Sequence, residues 1–217
     1  MSSSSTLTSS SIMWKLADNP IILATESPAR LRMFKDARIA HTAIAANLDE
    51  DALRAAASHE NMSPEDTASM LAEAKAMKIS SLHPTALVIA SDQLLVCDDV
   101  IYSKPDTRSA AKNSLQHLAG KTHELITAGI ILLGGQRLWH VVKSPKITCR
   151  PLNDHDIDLY LDAMGDAAFM TPGVYMIEQL GVHIISQMDG CSYTIQGFPM
   201  LECLDYLRRF GMEPVQS

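Results

Sequence analysis

Apolar positions along this chain come in two rhythms, short unbroken runs and helical spacings, and the rhythm changes at Ser, Pro and Gly. The run Ile21-Ile22-Leu23-Ala24 predicts a buried strand. Ser27-Pro28 follows at once; serine caps helices and proline suits their first position, so a helix is predicted from there to about residue 36. The same signal recurs at Ser63-Pro64, with Asp66 in the capping-box place, and opens a helix continued by Met70, Leu71, Ala74, Met77 and Lys78. Lys75 lies on that helix. Leu87-Val88-Ile89-Ala90 predicts a central strand ending just before Asp92, and Leu94-Leu95-Val96, Asp98-Asp99 and Val100-Ile101-Tyr102 read as a hairpin. A second hairpin is expected from 125–133 and 138–142, turning at Gly134-Gly135. Three more helices are predicted: one capped by Asp106 and ended by Gly120, one from Asn153 to Met164, and one from Met200 to Phe210. Strands are expected at 174–177 and 182–185.

Parallel crossovers and antiparallel hairpins in one chain argue for an α/β fold with a mixed sheet and against a simple doubly wound one. A length of 217 residues suits one domain or one two-lobed domain. The opening MSSSSTLTSSS is polar and repetitive, so residues 1–19 are expected to form a disordered tail and 20–217 a single catalytic domain. The opening has neither a basic segment nor an apolar core with a small-residue cleavage site, so it does not read as a secretory signal. No apolar run is long enough for a membrane span. Cys97, Cys149, Cys191 and Cys203 are widely spaced and are expected to be buried free thiols in a reducing, cytoplasmic setting. With 18 basic against 25 acidic residues the net charge is −7, which opposes a nucleic-acid-binding face yet leaves room for a small phosphorylated ligand.

The candidate chemistry centres on Asp92. A carboxylate past the end of a buried strand is placed to hold Mg²⁺ or orient a water, or simply to cap a turn. Asp49-Glu50 is either a helix start or a source of further oxygen ligands. Arg30 and Arg32 flank the first helical turn, where backbone N–H groups favour anions; they do not share a face, and Arg30 is nearer the helix start. Lys75 and Lys104 stand among apolar neighbours and either neutralise phosphate or are ordinary surface cations. His155, between Asp154 and Asp156, reads as part of a solvent-facing helix start, and His123 as a structural hydrogen-bonding residue or a ligand. The Gly-x-Gly-x-x-Gly and Gly-x-x-x-x-Gly-Lys-Ser/Thr cradles and the Gly-x-Ser-x-Gly elbow are all missing from the sequence.

In these residues the chain resembles the Maf family of nucleoside triphosphate pyrophosphatases, also called septum-formation proteins. The matching segments are Ile22-Leu23-Ala24-Thr25-Glu26-Ser27-Pro28-Ala29-Arg30, Leu48-Asp49-Glu50, Ala74-Lys75-Ala76, Ala90-Ser91-Asp92-Gln93, Lys104-Pro105 and Gly120-Lys121-Thr122-His123-Glu124. They continue with Gly173-Val174-Tyr175-Met176-Ile177-Glu178 and Gly197-Phe198-Pro199. The resemblance implies an elongated, two-lobed Maf/ITPase-like fold with a central cleft. It implies hydrolysis of a nucleoside triphosphate to monophosphate and pyrophosphate with a divalent cation, Mg²⁺ or Mn²⁺, and it points to a cytoplasmic, often homodimeric enzyme.

By the same resemblance Asp92 is the catalytic acidic residue, Glu50 its metal partner, and Ser27, Arg30, Lys75 and Lys104 hold phosphates. Gln93 and Glu178 match the branch that prefers 7-methyl-GTP, whereas Ala29 matches neither that branch nor the one preferring dTTP and UTP. Leu31, Ala74, Thr171-Pro172 and Cys191-Ser192-Tyr193 also depart from the family pattern. A catalytically weak nucleotide-binding regulatory protein on the same scaffold, or a pyrophosphatase preferring dTTP or UTP, is the alternative these departures raise.

Overall fold

The computed structural model describes residues 12–216. In chain order the elements are β1 (Ile12–Lys15), β2 (Ile21–Leu23), α1 (Pro28–Asp36), β3 (Thr42–Ala43), α2 (Glu50–His59), α3 (Pro64–Leu82), β4 (Leu87–Cys97) and β5 (Val100–Tyr102). They continue with α4 (Arg108–Leu118), β6 (Thr122–Leu133), β7 (Gln136–Lys143), β8 (Lys146–Cys149), α5 (Asp154–Met164), β9 (Ile185–Asp189), α6 (Ser192–Ile195), α7 (Met200–Arg209) and β10 (Glu213–Gln216). One mixed sheet runs β3-β2-β4-β6-β8-β9, with β5 paired to β4 and β7 to β6; β2 is parallel to its neighbours and β4 antiparallel to β6.

Two long strands, β4 and β6, carry the architecture because they run through two separate cores. Along the first half of β4 the side chains alternate between two helical layers, as the pleat requires. Leu87 and Ile89 join Met33 and Phe34 of α1 and Cys203 and Leu207 of α7. Val88, Ala90 and Leu94 face the opposite way, onto Ala68, Leu71, Ala72, Ala76 and Ile79 of α3. Further along, Leu95 and Cys97 enter another cluster with Leu115 and Leu118 of α4 and Ile157 and Leu161 of α5. The first lobe is thus a sheet between helices, and the second packs its helices around the far ends of β4, β6 and β8. Asp92 and Gln93 lie on β4 where it passes from one core to the other.

Most helix boundaries follow their local signals. Ser63 accepts a hydrogen bond from Asp66 N at 3.1 Å and donates to Asp66 Oδ2 at 2.8 Å, so Asp66 fills the capping place predicted for it. Asn153 and Asp156 form a reciprocal capping box at the start of α5. The cap of α4 is Thr107 and not the expected Asp106, since the Thr107 hydroxyl accepts from Ala110 N.

Four expectations need correction. Residues 1–11 of the expected tail lie outside the described residues, but Ile12–Lys15 pair antiparallel with Glu213–Gln216, and Leu16 is buried, so the ordered chain begins well before residue 20. Trp14 packs on the α1–α7 core, and that apolar burial offsets the cost of ordering the segment. The two strand runs around Asp92 are one continuous strand, because Asp92 is paired in register with Ala128 and does not end the ladder. Residues 174–177 are not a strand, and of 182–185 the first two end a 3₁₀ turn, Leu180–His183, while only Ile185 is in a strand, the start of β9. Val174 to Ile177, with Ile184 and Ile185, fill the second core, where a strand and a packed loop present the same composition, while Val182 is exposed.

His123 is structural. Its Nε2 meets the Tyr175 hydroxyl at 2.6 Å in the second core, and burial pushes its pKa down to about 4. A folded value below the ordinary 6.5 means that the unfolded chain binds the proton first. Stability present above pH 6.5 is therefore lost as pH falls from there through about 4, to a total of about 3 kcal/mol. Urea unfolding across that range is expected to show the loss. His123→Gln, which keeps a hydrogen-bonding group near the tyrosine but does not titrate, is expected to flatten it; an unchanged slope would contradict the assignment.

Candidate functional site

The strand β2 stops at Leu23, opposite Ile89 of β4, and the chain then leaves the sheet through Thr25 to the start of α1. β4 continues past that point, so a cleft opens beside it at the carboxyl end of β2, where ligands gather in open α/β sheets. Alternation along β4 decides what enters it. Asp92 shares the parity of Val88, Ala90 and Leu94, and so points at α3. On α3, Lys75 lies one helical turn from both Leu71 and Ile79, on the stripe that faces the sheet. The two charges meet because both belong to faces that the hydrophobic pattern buries.

Lys75 Nζ sits 2.6 Å from Asp92 Oδ1 and 2.9 Å from Glu50 Oε1. Asp92 is 3% exposed and Lys75 9%. Asp49 caps α2 through Ala52 N, while Glu50, the first helical residue, turns to Lys75; the helix-start and site readings of this pair are both realised. The other Glu50 oxygen, Oε2, accepts from Arg54 Nη2 at 2.9 Å. Burial pushes the Glu50 carboxyl up, but Lys75, then Arg54 and Lys104, outweigh burial and hold it below its ordinary range. Asp92 Oδ2 is different: it is buried and has no hydrogen-bond partner among the described residues. An orphaned buried carboxylate oxygen is costly unless something outside the protein completes it.

Arg30 closes the next side. Its Nε donates to the Gly197 carbonyl at 2.8 Å and its Nη1 to the Ser91 carbonyl at 2.7 Å, and Ser91 Oγ donates to that same Gly197 oxygen at 3.0 Å. Burial lowers the guanidinium pKa from its ordinary value, while the charges of Asp92 and Glu50 pull it back up. Gly197 has a φ of +101°, and a Cβ there would stand 3.3 Å from Arg30 Nη2, so the close approach needs glycine. Ser27 sits at the N-cap of α1 but makes no side-chain cap bond, and its hydroxyl has no partner among the described residues at the positive end of the helix. Lys104 is exposed after β5 and makes no ion pair among the described residues, yet its charge reaches Glu50.

Gln93 has the opposite parity to Asp92. Its Nε2 donates to Thr127 Oγ1 at 2.8 Å and the Thr194 carbonyl at 2.9 Å, with Ile195 O at 3.3 Å. Three protein acceptors fix the amide orientation and leave Oε1 as its free group. Gln93 also lines a cavity of about 40 Å³ with Thr171, Gly173 and Tyr175. Glu178 accepts from Arg32 Nη2 at 2.6 Å.

The structure thus brings Asp92, Lys75, Glu50 and Arg30 into one cluster, with Ser27, Lys104 and Gln93 around it and Glu178 on a loop tied to α1. Sequence reasoning gave no role to the supports Arg54, Ser91, Gly197 and Thr127, although Ser91 and Gly197 lie in the segments that carry the resemblance. Only Arg54 had a local signal, four residues after Glu50. His155 is exposed at the start of α5 and the four cysteines are free, as expected. Among the described residues no helix is long and apolar enough to cross a membrane, and no group of three or more His, Cys, Asp or Glu side chains converges on a metal position.

A mixed α/β sheet with a buried carboxylate, its lysine and an anchored arginine at the cleft has the chemistry of a phosphate-handling class of protein. The family model described as Maf-like protein matches residues 20–210, and the chain belongs to that family. It is 40% identical over 193 residues to the nucleoside triphosphate pyrophosphatase of Rhodospirillum rubrum, covering 89% of this chain and 96% of that one. It is also 38% identical over 189 residues to the 7-methyl-GTP pyrophosphatase of Brucella abortus biovar 1, covering 87% and 95%.

Proposed function

We propose that this chain hydrolyses a nucleoside triphosphate at the α–β anhydride, releasing the monophosphate and pyrophosphate. The observation that carries the reading is Asp92 Oδ2, a buried acceptor without a partner among the described residues, on a carboxylate fixed by Lys75. That oxygen accepts a proton from a water aimed at the α-phosphorus; the new P–O bond forms as the anhydride bond breaks, and its electron pair leaves on pyrophosphate. Arg30 Nη2, Lys75, Lys104 and the Ser27 hydroxyl are the donors that balance charge developing on the phosphoryl oxygens. Because Arg30 is anchored to two backbone carbonyls, its remaining N–H groups need little reorganisation.

A divalent cation, Mg²⁺ or Mn²⁺, would be held by Asp92 and Glu50. Asp92 Oδ2, which has no partner among the described residues, fits such an ion as an alternative to accepting the proton; Glu50 would join it only by releasing Lys75 or Arg54, with phosphates and water completing the shell. When bound, the ion supplies charge neutralisation and a more acidic water. Net charge of −7 and four free thiols support a cytoplasmic enzyme on small nucleotides and not on a nucleic acid polymer. A homodimer is proposed on family resemblance alone.

The base reading goes further. Gln93 Oε1 and Glu178 Oε2 are two acceptors, which suit the N–H edge of guanine. A carboxylate also suits the positive ring left by methylation at N7. A 7-methyl-GTP-like substrate is therefore proposed, in keeping with the printed name of the Brucella relative. The site of attack is tested by running the reaction in ¹⁸O-labelled water. Label is expected in the monophosphate; label in pyrophosphate would place attack at the β-phosphorus and overturn the arrangement.

A further inference from the structure

Arg32 stands two residues from Arg30 and does not share its helical face, yet both reach the same loop. Arg30 contacts Gly197, and Arg32 Nη2 lies 3.4 Å from Gln196 Oε1, the preceding residue. The same Arg32 nitrogen holds Glu178 Oε1 at 2.6 Å, so Glu178 is brought beside Gln196 and the segment that fixes Gln93. Glu178 itself sits between α5 and β9, outside any helix or strand. Nothing in its own segment pins the carboxylate: its only ion pair among the described residues is to Arg32, 146 positions away. Its second oxygen has no protein hydrogen bond among the described residues and stays an acceptor.

An exposed ion pair of this kind adds little to folding stability. Arg32 is 43% exposed at its side chain and Glu178 23%. What the pair does is spatial, since it draws a loop carboxylate to the α1 side of the cleft.

We propose that Arg32 is a specificity-positioning residue, holding the Glu178 carboxylate by Oε1 so that Oε2 meets the N–H edge of a guanine-type base. The proposal rests on the base reading given above. Arg32 touches no reacting atom; it acts through Glu178, so its loss moves selectivity and leaves hydrolysis of a base that makes no demand on Glu178 largely intact.

The test compares kcat/KM for 7-methyl-GTP with kcat/KM for UTP in the full chain and in Arg32→Ala, Arg32→Lys, Glu178→Ala and the Arg32→Ala/Glu178→Ala double variant. Arg32→Ala is expected to lower the 7-methyl-GTP to UTP ratio about tenfold, the scale of one well-placed charge-assisted hydrogen bond, mainly through KM. Arg32→Lys is expected to recover most of the ratio, because the contact uses a single nitrogen. In the Glu178→Ala background the arginine substitution is expected to change the ratio no further. If Glu178→Ala collapses the ratio and Arg32→Ala does not, or if the two losses add in full, the positioning role is overturned while the base reading stands. If Glu178→Ala leaves the ratio unchanged, the base reading fails and the proposal falls with it. Thermal melts of the single variants separate both results from misfolding.

Discussion

Lys75→Met is expected to cost about 3–5 kcal/mol of stability near neutral pH and to remove hydrolysis together with it. The substitution keeps an unbranched side chain one atom shorter on the same face of α3, but it deletes the cation between two carboxylates. Asp92, with a side chain 5% exposed, is then left without its partner at 2.6 Å, and Glu50 loses its contact at 2.9 Å. Arg54 still holds Glu50, so most of the penalty falls on Asp92. An unpaired buried carboxylate takes up a proton more readily than it does in the unfolded chain, so the folded variant gains relative stability as pH is lowered. Urea unfolding of parent and variant at about pH 7 and about pH 5 is expected to show the gap narrowing in acid. A gap that is small, or independent of pH, would mean that Lys75 does not carry the charge balance of the cluster.

Asp92→Asn has the opposite profile. The amide keeps an oxygen for Lys75, whose charge is still balanced by Glu50, so the cost to folding is expected to be about 1–2 kcal/mol. The activity is a different matter. Asparagine cannot accept the water's proton and is a poor cation ligand, so kcat is expected to fall about a thousandfold, with KM changed far less. A variant with near-parent turnover would remove Asp92 from the reaction, whatever its geometry.

The helix starts were legible because each carries a short-range chemical signal: Ser27-Pro28, Ser63-Pro64 with Asp66, and Asn153 with Asp156. The strand runs of the first lobe were legible because they are solidly apolar. Continuity through Asp92 was not, since a polar Ser91-Asp92-Gln93 stretch inside a strand reads as its end. Those residues stay in the ladder because partners from distant segments satisfy them: Lys75 for Asp92, Gly197 for Ser91, and Thr127 and Thr194 for Gln93. For the same reason the identities of Asp92, Lys75 and Glu50 could be named from the resemblance, while their contacts could not. Arg32 was noted only as a neighbour of Arg30; its tie to Glu178 joins residues 146 positions apart, which no local pattern encodes. The first strand was passed over because Ile12-Met13-Trp14 is short, follows a serine-rich opening and pairs with Glu213–Gln216 at the far end of the chain.

The most direct measurement is pyrophosphate release with Mg²⁺ or Mn²⁺ across the common nucleoside triphosphates and 7-methyl-GTP, with Asp92→Asn alongside. The account predicts stoichiometric monophosphate and pyrophosphate, fastest with 7-methyl-GTP and lost in the variant. Release of inorganic phosphate instead, or saturable nucleotide binding without any turnover, would contradict it.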